Sequence, residues 1–245
     1  MVGTYPPATV PDATDPDQYD RIFLSDGDGT FTDITHAFEQ NRLLQPTLAS
    51  VITDLDFDGD QDIWIGNDKE VGNALWRNDG PGCGGWCFTE VSIETGTFRP
   101  AYTMGVAVGD CDRDGDWDIA YSSISEQILL EGKQSQGSFV FDDISVPSGF
   151  SYDAVGWGTI FFDGDNDGWE DLFLSVITVF EGTTSKLYRN DQNAQFTDVT
   201  DVSNLGREES EMAVTWLDID RDGLLDLVHG QINRGYVLDR NVTAN

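Results

Sequence analysis

The sequence predicts an all-β fold made of repeated units, each with four short antiparallel strands. One acidic pattern, D-x-D-x-D-G-x-x-D, occurs four times, and its first aspartates lie at 54, 110, 163 and 218, which are 56, 53 and 55 residues apart. Runs rich in β-branched and aromatic residues flank the copies. No segment with helical periodicity separates them. A regular spacing of this size indicates stacked structural units.

Each unit contains four segments with the composition of strands. One strand enters the acidic loop and a second leaves it, as in "ASVITDLD" and "DIWIGN". The third strands are "NALWRND", "QILLEGK", "SKLYRND" and, near the N-terminus, "DRIFLSD". The fourth strands are "CFTEVS", "SFVFDDIS", "QFTDVT" and "GTFTDIT". Four antiparallel strands per unit predict the blade of a β-propeller.

The two ends of the chain contain incomplete units. Residues 1–19 are predicted to be an N-terminal extension, and residues 20–245 to form the propeller repeats. The N-terminal part supplies strands three and four, three complete units follow, and the C-terminal part supplies strands one and two, with "GYVLD" as a possible third. Without "GYVLD" these are 16 strands, enough for four blades if the two ends share one, and "GYVLD" then has no obvious place. The alternatives are a small closed ring, an arc or fragment of a larger propeller, and an arc whose exposed edges pair with another chain.

The acidic loops predict a cation site in each unit. Carboxylates within about 4 to 6 Å raise one another's pKa, so a positive ion is expected among them. A hard divalent cation fits, because Ca²⁺ accepts about 6 to 8 oxygen ligands in flexible geometry, whereas Mg²⁺ requires a stricter octahedron. We therefore predict about four Ca²⁺ ions, one in each of the loops 54–62, 110–118, 163–171 and 218–226.

The position within each loop predicts the role of each residue. Positions 1, 3, 5 and 9 offer carboxylates, glycine at position 6 makes the sharp turn, and position 7 offers its backbone carbonyl. The expected side-chain ligands are Asp54, Asp56, Asp58 and Asp62; Asp110, Asp112, Asp114 and Asp118; Asp163, Asp165, Asp167 and Asp171; and Asp218, Asp220, Asp222 and Asp226. Position 7 is occupied by Asp60, Asp116, Trp169 and Leu224. Because these four side chains differ in kind, a backbone role is favoured.

An EF-hand is the rival interpretation of these loops. It requires a bidentate acid at position 12 and a helix on each side. Position 12 holds Ile65, Tyr121, Leu174 or His229. The missing acid and the flanking strands favour a loop in a β-hairpin. A further acidic turn, "SDGDGTF" at 25–31, lacks two ligands and is interpreted as a Gly-rich hairpin turn.

Composition limits the classes of partner. With 245 residues, of which 39% are hydrophobic, the chain can bury a core as one domain. The formal charge is −32, and four Ca²⁺ ions would leave −24. Nucleic acid is therefore not an expected partner, because it is bound through positive surface. No membrane insertion is expected, since no run of about 18 apolar residues is present.

An extracellular or cell-surface location is predicted, with a leader peptide absent from this numbering, because loops of this type saturate readily at the calcium levels outside cells. Cys83 and Cys87 flank an apparent turn, and their spacing is compatible either with a disulfide or with two free thiols. Cys111 lies inside the second acidic loop. Zinc is not expected, because His36 and His229 are the only histidines. Asn241 begins a glycosylation sequon, a pattern that also occurs by chance.

Two segments resemble a known repeat family. "KLYRNDQNAQFTDVT" and "VGWGTIFFDGDNDGWEDLFLSV" are similar to FG-GAP/VCBS repeats, as in integrin α propellers and the relatives of cartilage acidic protein. The resemblance extends from residue 20 to about residue 240 and implies a calcium-binding propeller whose ligands are the acids and carbonyls named above. Such propellers commonly have about seven blades. This chain departs from that number, since it has four acidic loops.

The predicted function is a non-enzymatic, extracellular binding or adhesion module with a protein or glycan ligand. No G-x-S-x-G motif, Cys/His pair or phosphate loop is present, and the proposed metal ligands take 16 of the 45 acidic residues. The alternatives are a structural subunit that forms homo-oligomers or filaments through edge strands, and the propeller of a polysaccharide-degrading enzyme. The seven tryptophans either stack on sugars or, as is commoner at strand positions, pack between blades.

Overall fold

The computed structural model describes residues 20–41, 46–83, 85–135, 138–179, 181–207, 209–232 and 234–242. The predicted N-terminal extension lies outside these ranges. Strands dominate the described residues, and helices are confined to short segments. The chain divides into two compact units, Met1–Thr103 with Gln134–Val140 and Met104–Lys133 with Phe141–Asn245.

A two-stranded ribbon comes first in the chain. It pairs β1 (Phe23–Ser25) with β2 (Phe31–Asp33) in antiparallel register. The turn between them has positive φ at Gly27 and Gly29, and Thr30 donates its hydroxyl hydrogen bonds to Asp26 and Asp28. The acidic segment 25–31 is therefore the hairpin turn that its glycines predicted.

Three four-stranded antiparallel sheets follow, and in each sheet the strands lie side by side in the order in which they occur in the chain. The first blade and its small inserted ribbon contain β3 (Thr47–Thr53), β4 (Asp62–Asn67), β5 (Val71–Gly72), β6 (Ala74–Gly82), β7 (Gly85–Glu90) and β8 (Pro100–Ala101). The blade has the order β3-β4-β6-β7, and β5 pairs with β8. The second blade contains β9 (Val106–Gly109), β10 (Asp118–Tyr121), β11 (Ile128–Ser135) and β12 (Ser138–Asp143). The third contains β13 (Val155–Phe162), β14 (Asp171–Ile177), β15 (Lys186–Asn190) and β16 (Phe196–Asp198).

The last sheet has three strands within the described residues. It contains β17 (Glu211–Leu217), β18 (Asp226–Gln231) and β19 (Gly235–Asp239), in that order. The pairing of β18 with β19 runs from Leu227 opposite Asp239 to Gln231 opposite Gly235. The segment "GYVLD" thus fills the third position of this blade. This agrees with its interpretation as a possible third strand, and the 16-strand count, which left the segment without a place, omits it.

Short helical segments follow the outer strands. A 3₁₀ helix spans Thr35–Asn41, and single α-turns are α1 (Ser92–Thr95), α2 (Ser145–Ser148) and α3 (Thr200–Ser203). The α-turns end at the left-handed residues Gly96, Gly149 and Asn204. Segments of four residues are too short to show a helical period in the sequence.

The second strand of each blade carries most of the core. All six residues of β4 are buried, as are all four of β10, because these strands are covered on both faces. In the first unit Ile63, Ile65, Ala74 and Trp76 form a cluster that Ile22 and Phe38 contact. In the second unit a larger cluster includes Leu129, Phe150, Leu172, Leu174, Tyr188 and Phe196.

The first strands of the sheets in the second unit lie side by side. β13 lies against both β9 and β17. Gly105 makes one of these close approaches possible, because a Cβ atom there would lie 2.4 Å from the carbonyl oxygen of Trp157. Adjacent first strands are typical of propeller blades. The predicted all-β propeller of four-stranded blades is confirmed.

Candidate metal centres

Each acidic loop connects the first and second strands of a blade. The strand pairs are β3 and β4, β9 and β10, β13 and β14, and β17 and β18, so every loop closes a β-hairpin. The position-6 glycines all have positive φ: Gly59 at 98°, Gly115 at 95°, Gly168 at 89° and Gly223 at 89°. These are the sharp turns that the sequence predicts, and side chains other than glycine would be strained there.

A second left-handed residue occurs at position 4 of every loop. Phe57, Arg113, Asn166 and Arg221 have φ between 58° and 64°. Left-handed geometry is uncommon for residues with a Cβ atom, and it is rarer still for bulky ones. This backbone geometry could not be predicted from the sequence, because three of these four residues, all but Asn166, are of types with no preference for positive φ.

Three carboxylates converge in each loop. The ligand oxygens lie within 4.8 Å of one another in four groups: Asp54, Asp56 and Asp58; Asp110, Asp112 and Asp118; Asp163, Asp165 and Asp167; and Asp218, Asp220 and Asp226. Positions 1 and 3 belong to every group. Position 5 completes two groups, and position 9 completes the other two. Asp62, Asp114, Asp171 and Asp222 lie outside the groups.

The backbone of each loop turns its N–H groups towards its own carboxylates. The position-7 amides of Asp60, Asp116, Trp169 and Leu224 donate to the position-5 aspartates over 2.8 to 2.9 Å. The position-6 amides of Gly59, Gly168 and Gly223 donate to the position-1 aspartates over 3.0 to 3.1 Å. Position 7 therefore contacts its own loop through its backbone N–H, whichever side chain it carries.

The position-9 aspartate links the loop to the third strand of its blade. In the first blade, Asp62 accepts hydrogen bonds from the backbone N–H groups of Leu55 at 2.9 Å and Asn78 at 2.8 Å. The same two contacts recur at Asp118 from Cys111 and Gly132, at Asp171 from Gly164 and Asn190, and at Asp226 from Ile219 and Asn241. Sequence reasoning gave position 9 only the role of a ligand.

Burial raises the pKa of several loop aspartates. It raises the pKa of Asp62 to about 6 and the pKa values of Asp118 and Asp171 to about 7. Burial also raises the pKa of Asp112, in the second loop, to about 6. The negative charges of neighbouring loop acids add to these shifts. A bound cation would favour the ionised forms and offset the shifts.

Two buried carboxylate oxygens test whether the loops suit a metal. Oδ1 of Asp54 and Oδ1 of Asp110 are buried and have no hydrogen-bond partner within the described ranges. Both belong to position 1 of a loop. A buried oxygen without a donor is costly unless a cation or water satisfies it. The all-oxygen donor set suits Ca²⁺ or Mg²⁺ rather than a metal that prefers nitrogen or sulfur ligands. The residues therefore fit a hard divalent cation.

The cysteines have structural positions. Cys83, in the turn after β6, forms a disulfide with Cys87 of β7. Cys111, at position 2 of the second loop, is buried and reduced. Burial strongly raises the pKa of its thiol, so it stays protonated and is a poor nucleophile.

One histidine lies between two carboxylates, but solvent does not reach it. Nδ1 of His229 lies 3.2 Å from Oε2 of Glu211, and Nε2 lies 3.1 Å from Oδ2 of Asp239. The side chains of His229 and Glu211 are each 1% exposed. Ser185 donates its hydroxyl hydrogen bond to Glu211 over 2.7 Å. These contacts join the three strands of the last blade, and a substrate has no access to the imidazole.

The tryptophans divide between core and partly exposed positions. Trp64 and Trp76 are buried in the first blade, as the packing interpretation predicts. Trp216 is 46% exposed and donates its indole N–H to the carbonyl of Phe161. The remaining tryptophans are intermediate in exposure: Trp86, Trp117, Trp157 and Trp169. No helix in the described ranges is long and apolar enough to cross a membrane.

Comparison with known proteins agrees with the loop geometry. The FG-GAP-like repeat model matches residues 54–121 and 163–229, two segments that begin at acidic loops. Cartilage acidic protein 1 of Homo sapiens and of Mus musculus is 31% identical in an alignment of 173 residues that covers 67% of this chain. The match covers 25% of the human and 26% of the mouse protein, so the chain spans about a quarter of their length.

A solved structure shows the same fold at low sequence identity. An Agrocybe aegerita lectin, which recognises non-reducing terminal N-acetylglucosamine, matches with a TM-score of 0.53 and 18% identity. The match covers 90% of this chain and 57% of the lectin chain. Repeat spacing, blade topology, loop geometry and the matching repeat model together place the chain in the FG-GAP-like repeat family.

Proposed function

We propose that the chain is an extracellular, calcium-binding and non-enzymatic binding module. The observation that carries the proposal is the convergence of three carboxylates in each of four hairpin loops. In each loop, positions 1, 3, 5 and 9 would supply carboxylates to the ion, and position 7 its carbonyl. The bound ion would neutralise the acids and hold the strand connections of each blade in place.

Several features favour calcium and a location outside the cell. The ligands are carboxylates and carbonyls on a turn with flexible spacing, which suits the larger ion better than Mg²⁺. Sites of this kind are readily saturated where calcium is abundant. The Cys83–Cys87 disulfide is also typical of an oxidising compartment.

A binding role rather than catalysis follows from the chemistry of the exposed groups. Carboxylates that ligate calcium are poor general bases, and the His229 imidazole is enclosed by Glu211 and Asp239. The thiol of Cys111 is buried. A propeller can present loops and partly exposed aromatic rings, such as that of Trp216, to a protein or glycan. The similarity to a glycan-binding lectin adds support for the glycan ligand.

A glycan array, read in calcium and again after chelation, tests this function. We expect binding in calcium, loss of binding in EDTA, and loss in Asp165→Ala, which removes a loop carboxylate. The matched control is Asp153→Ala, because Asp153 is an exposed acid outside the loops. Binding that is unaffected by chelation, or cleavage of a bound saccharide detected by mass spectrometry, would contradict a calcium-dependent non-enzymatic module.

Assembly through shared strands is a second candidate, favoured by the edge of the last blade. Within the described ranges β19 has one strand neighbour, β18. A cavity of about 350 Å³ lies beside it, lined by Leu187, Val199, Leu205 and Leu227 among others. In the third blade, Phe196 of the fourth strand packs in the blade core. A fourth strand from a second copy of the chain would fill this cavity and cover the edge.

Light scattering across a range of protein concentrations tests the assembly candidate. Oligomers in calcium that are lost when residues 1–35 are deleted would support strand sharing by β1 and β2. A monomer at every concentration would refute it and leave the binding module unaffected.

A further inference from the structure

A repeated asparagine connects neighbouring acidic loops in the second unit. Asn190, at the end of β15, donates its backbone N–H to Oδ1 of Asp171 over 2.8 Å. Its side-chain amide donates to the carbonyl of Cys111 over 2.7 Å and to that of Glu170 over 3.0 Å. Cys111 is position 2 of the second loop, whereas Glu170 and Asp171 are positions 8 and 9 of the third. One buried side chain therefore joins two loops.

Asn241 makes the corresponding contacts one blade later. Its backbone N–H donates to Oδ1 of Asp226 over 2.8 Å, and its side-chain amide donates to the carbonyl of Gly164 over 2.6 Å. Gly164 is position 2 of the third loop, and Asp226 is position 9 of the fourth. The amide nitrogen that a glycan would modify at the sequon is thus engaged between two loops.

Two further contacts connect the same loops. Oε2 of Glu170 accepts a hydrogen bond from the backbone N–H of Asp110 over 2.9 Å, which links positions 8 and 1 of the third and second loops. The side chain of Asn166 donates to the carbonyl of Gly223 over 2.8 Å, which links the third and fourth loops. The second and third loops are therefore connected at two points, and so are the third and fourth.

The first blade provides a comparison in which the asparagine stays within its own loop. Asn78 donates its backbone N–H to Asp62 and its side-chain amide to the carbonyl of Gln61, both in the first loop. In the second blade the equivalent residue is Gly132, which donates its backbone N–H to Asp118 but has no side chain. The contact between neighbouring loops therefore depends on which side chain occupies this position, since the blade fold by itself does not produce it.

We propose that the loops 110–118, 163–171 and 218–226 bind calcium as a coupled set, through Asn190 and Glu170 on one side of the third loop and Asn241 and Asn166 on the other. The inference rests on the calcium binding of the proposed function. An ion fixes the carbonyls and carboxylates of its own loop. Because the linking amides hold groups of two loops together, order imposed on one loop favours the bound geometry of the next. Such coupling is reciprocal between sites.

Calcium titration followed by NMR gives a separate reading for each loop. The backbone amides of Gly115, Gly168 and Gly223 occupy position 6 of the three loops, and those of Gly168 and Gly223 donate to position-1 carboxylates. Asp112→Asn impairs the second loop, and the calcium midpoint is then read at Gly168 in the third. Coupling predicts that this midpoint rises at least about fivefold, the lower end of typical allosteric effects.

Removal of the linking amide should remove most of that effect. In an Asn190→Ala background, which keeps the backbone N–H bond to Asp171, we expect Asp112→Asn to shift the Gly168 midpoint about twofold or less. Asn78→Ala is the matched control, because the hydrogen bonds of that asparagine to acidic loops are to the first loop, and the fivefold effect should persist in it. An unchanged effect of Asp112→Asn in Asn190→Ala, or no effect in the unmodified chain, would refute the coupling.

A second pair of variants guards against misfolding of Asn190→Ala. Asn241 is only half-buried, so Asn241→Ala is expected to fold, and it should likewise reduce the effect of Asp220→Asn on the Gly168 midpoint. If neither Asp112→Asn nor Asp220→Asn shifts the calcium midpoint at Gly168, the loops bind calcium independently. That result would refute this inference and leave the proposed calcium binding intact. The absence of calcium-dependent shifts in the unmodified chain would refute the proposed function and the inference together.

Discussion

At the scale of single residues, each loop combines two kinds of carboxylate. The position-9 aspartates, such as Asp62, are held by two backbone N–H groups, so they occupy their positions without a cation. The position-1 and position-3 aspartates converge in every loop, with position 5 or position 9 as the third member, and Oδ1 of Asp54 has no donor within the described residues. Removal of a converging carboxylate should therefore reduce metal affinity, whereas removal of the side chain at position 7 should matter little.

Asp56→Ala and Asp60→Ala test this distinction within one loop. Asp56 is a member of the converging group, whereas Asp60 donates its backbone N–H to Asp58 and is expected to act through its carbonyl. We expect Asp56→Ala to weaken calcium binding at this loop at least about tenfold, since about 1.4 kcal/mol corresponds to that factor. Asp60→Ala should retain affinity within about threefold, or about 0.7 kcal/mol. Equal losses in calorimetry would show that the ligand positions are assigned wrongly.

The sequence predicts the loop better than its surroundings. The acids at positions 1 and 3 and the glycines at position 6 take the geometry that their spacing indicates, as at Asp54, Asp56 and Gly59. The left-handed backbone at Phe57 and the bond from Asn78 to Asp62 have no such signal. Backbone donors look alike in any sequence, and a contact 16 residues away depends on strand register. Spacing therefore identifies the candidate ligands but not the groups that hold them.

At the scale of elements, the last blade depends on a buried polar contact between strands. Glu211 of β17 and Asp239 of β19 approach His229 of β18 from opposite sides, and Arg207 forms an ion pair with Asp239. Burial alone would raise the pKa of Glu211, but the hydrogen bonds from His229 and Ser185 outweigh it and hold the pKa below its usual 4.5. A carboxylate with a lowered pKa stabilises the fold above its unfolded-state pKa, and this stabilisation is lost as the pH falls through the folded-state value.

Glu211→Gln should therefore change the pH dependence of stability. At pH 7 we expect the variant to lose about 1 to 3 kcal/mol, the usual effect of weakening a buried hydrogen-bonded charge. The difference from the unmodified chain should shrink as the pH falls below about 4.5, where Glu211 becomes protonated. The measurement is urea unfolding at several pH values in saturating calcium.

Glu209→Gln is the matched control for this prediction. Glu209 lies two residues away and forms an exposed ion pair with Arg234, so its loss should cost less than about 1 kcal/mol at any pH. Equal destabilisation by the two variants, or a Glu211→Gln difference that grows towards acid pH, would contradict the assigned role of Glu211.

The strand order was largely predictable, and the exceptions have physical causes. Alternating and β-branched runs identify β3, β4, β13 and β14 because packing on sheet faces requires them. The two-residue strands β5 and β8 and the single-turn helices are too short to give a pattern. The sequence indicated β19 as a possible third strand, but the count of 16 strands left it without a place because it let the two ends of the chain share one blade, whereas pairing with β18 fills the third position.

At the scale of the whole molecule, the ribbon of β1 and β2 contributes to the first unit. Ile22 contacts the cluster of Ile63, Ile65, Ala74 and Trp76, and Phe38 packs edge-on against Trp76 with ring centroids 4.8 Å apart. Deletion of residues 1–35 removes Ile22 and should destabilise the chain by at least about 2 kcal/mol, as for other losses of large core side chains. The measurement is chemical unfolding in calcium, with deletion of residues 1–19 as the control. Equal stability of the two truncated chains would show that the ribbon contributes nothing.

The central claim is that bound calcium stabilises the folded protein. It rests on a formal charge of −32 and on the convergence of three carboxylates in each of four loops. An ion that binds only the native state stabilises it by about 2.7 kcal/mol per site at a concentration 100 times its Kd. In a chain of this size about 1 kcal/mol corresponds to a change of about 2 to 4 °C in Tm, so even one site should give several degrees. Thermal unfolding in calcium and in excess EDTA, with metal analysis to confirm removal, measures this directly. We predict a Tm in calcium at least about 5 °C higher than in EDTA; an identical melting curve for the metal-free protein would contradict the account.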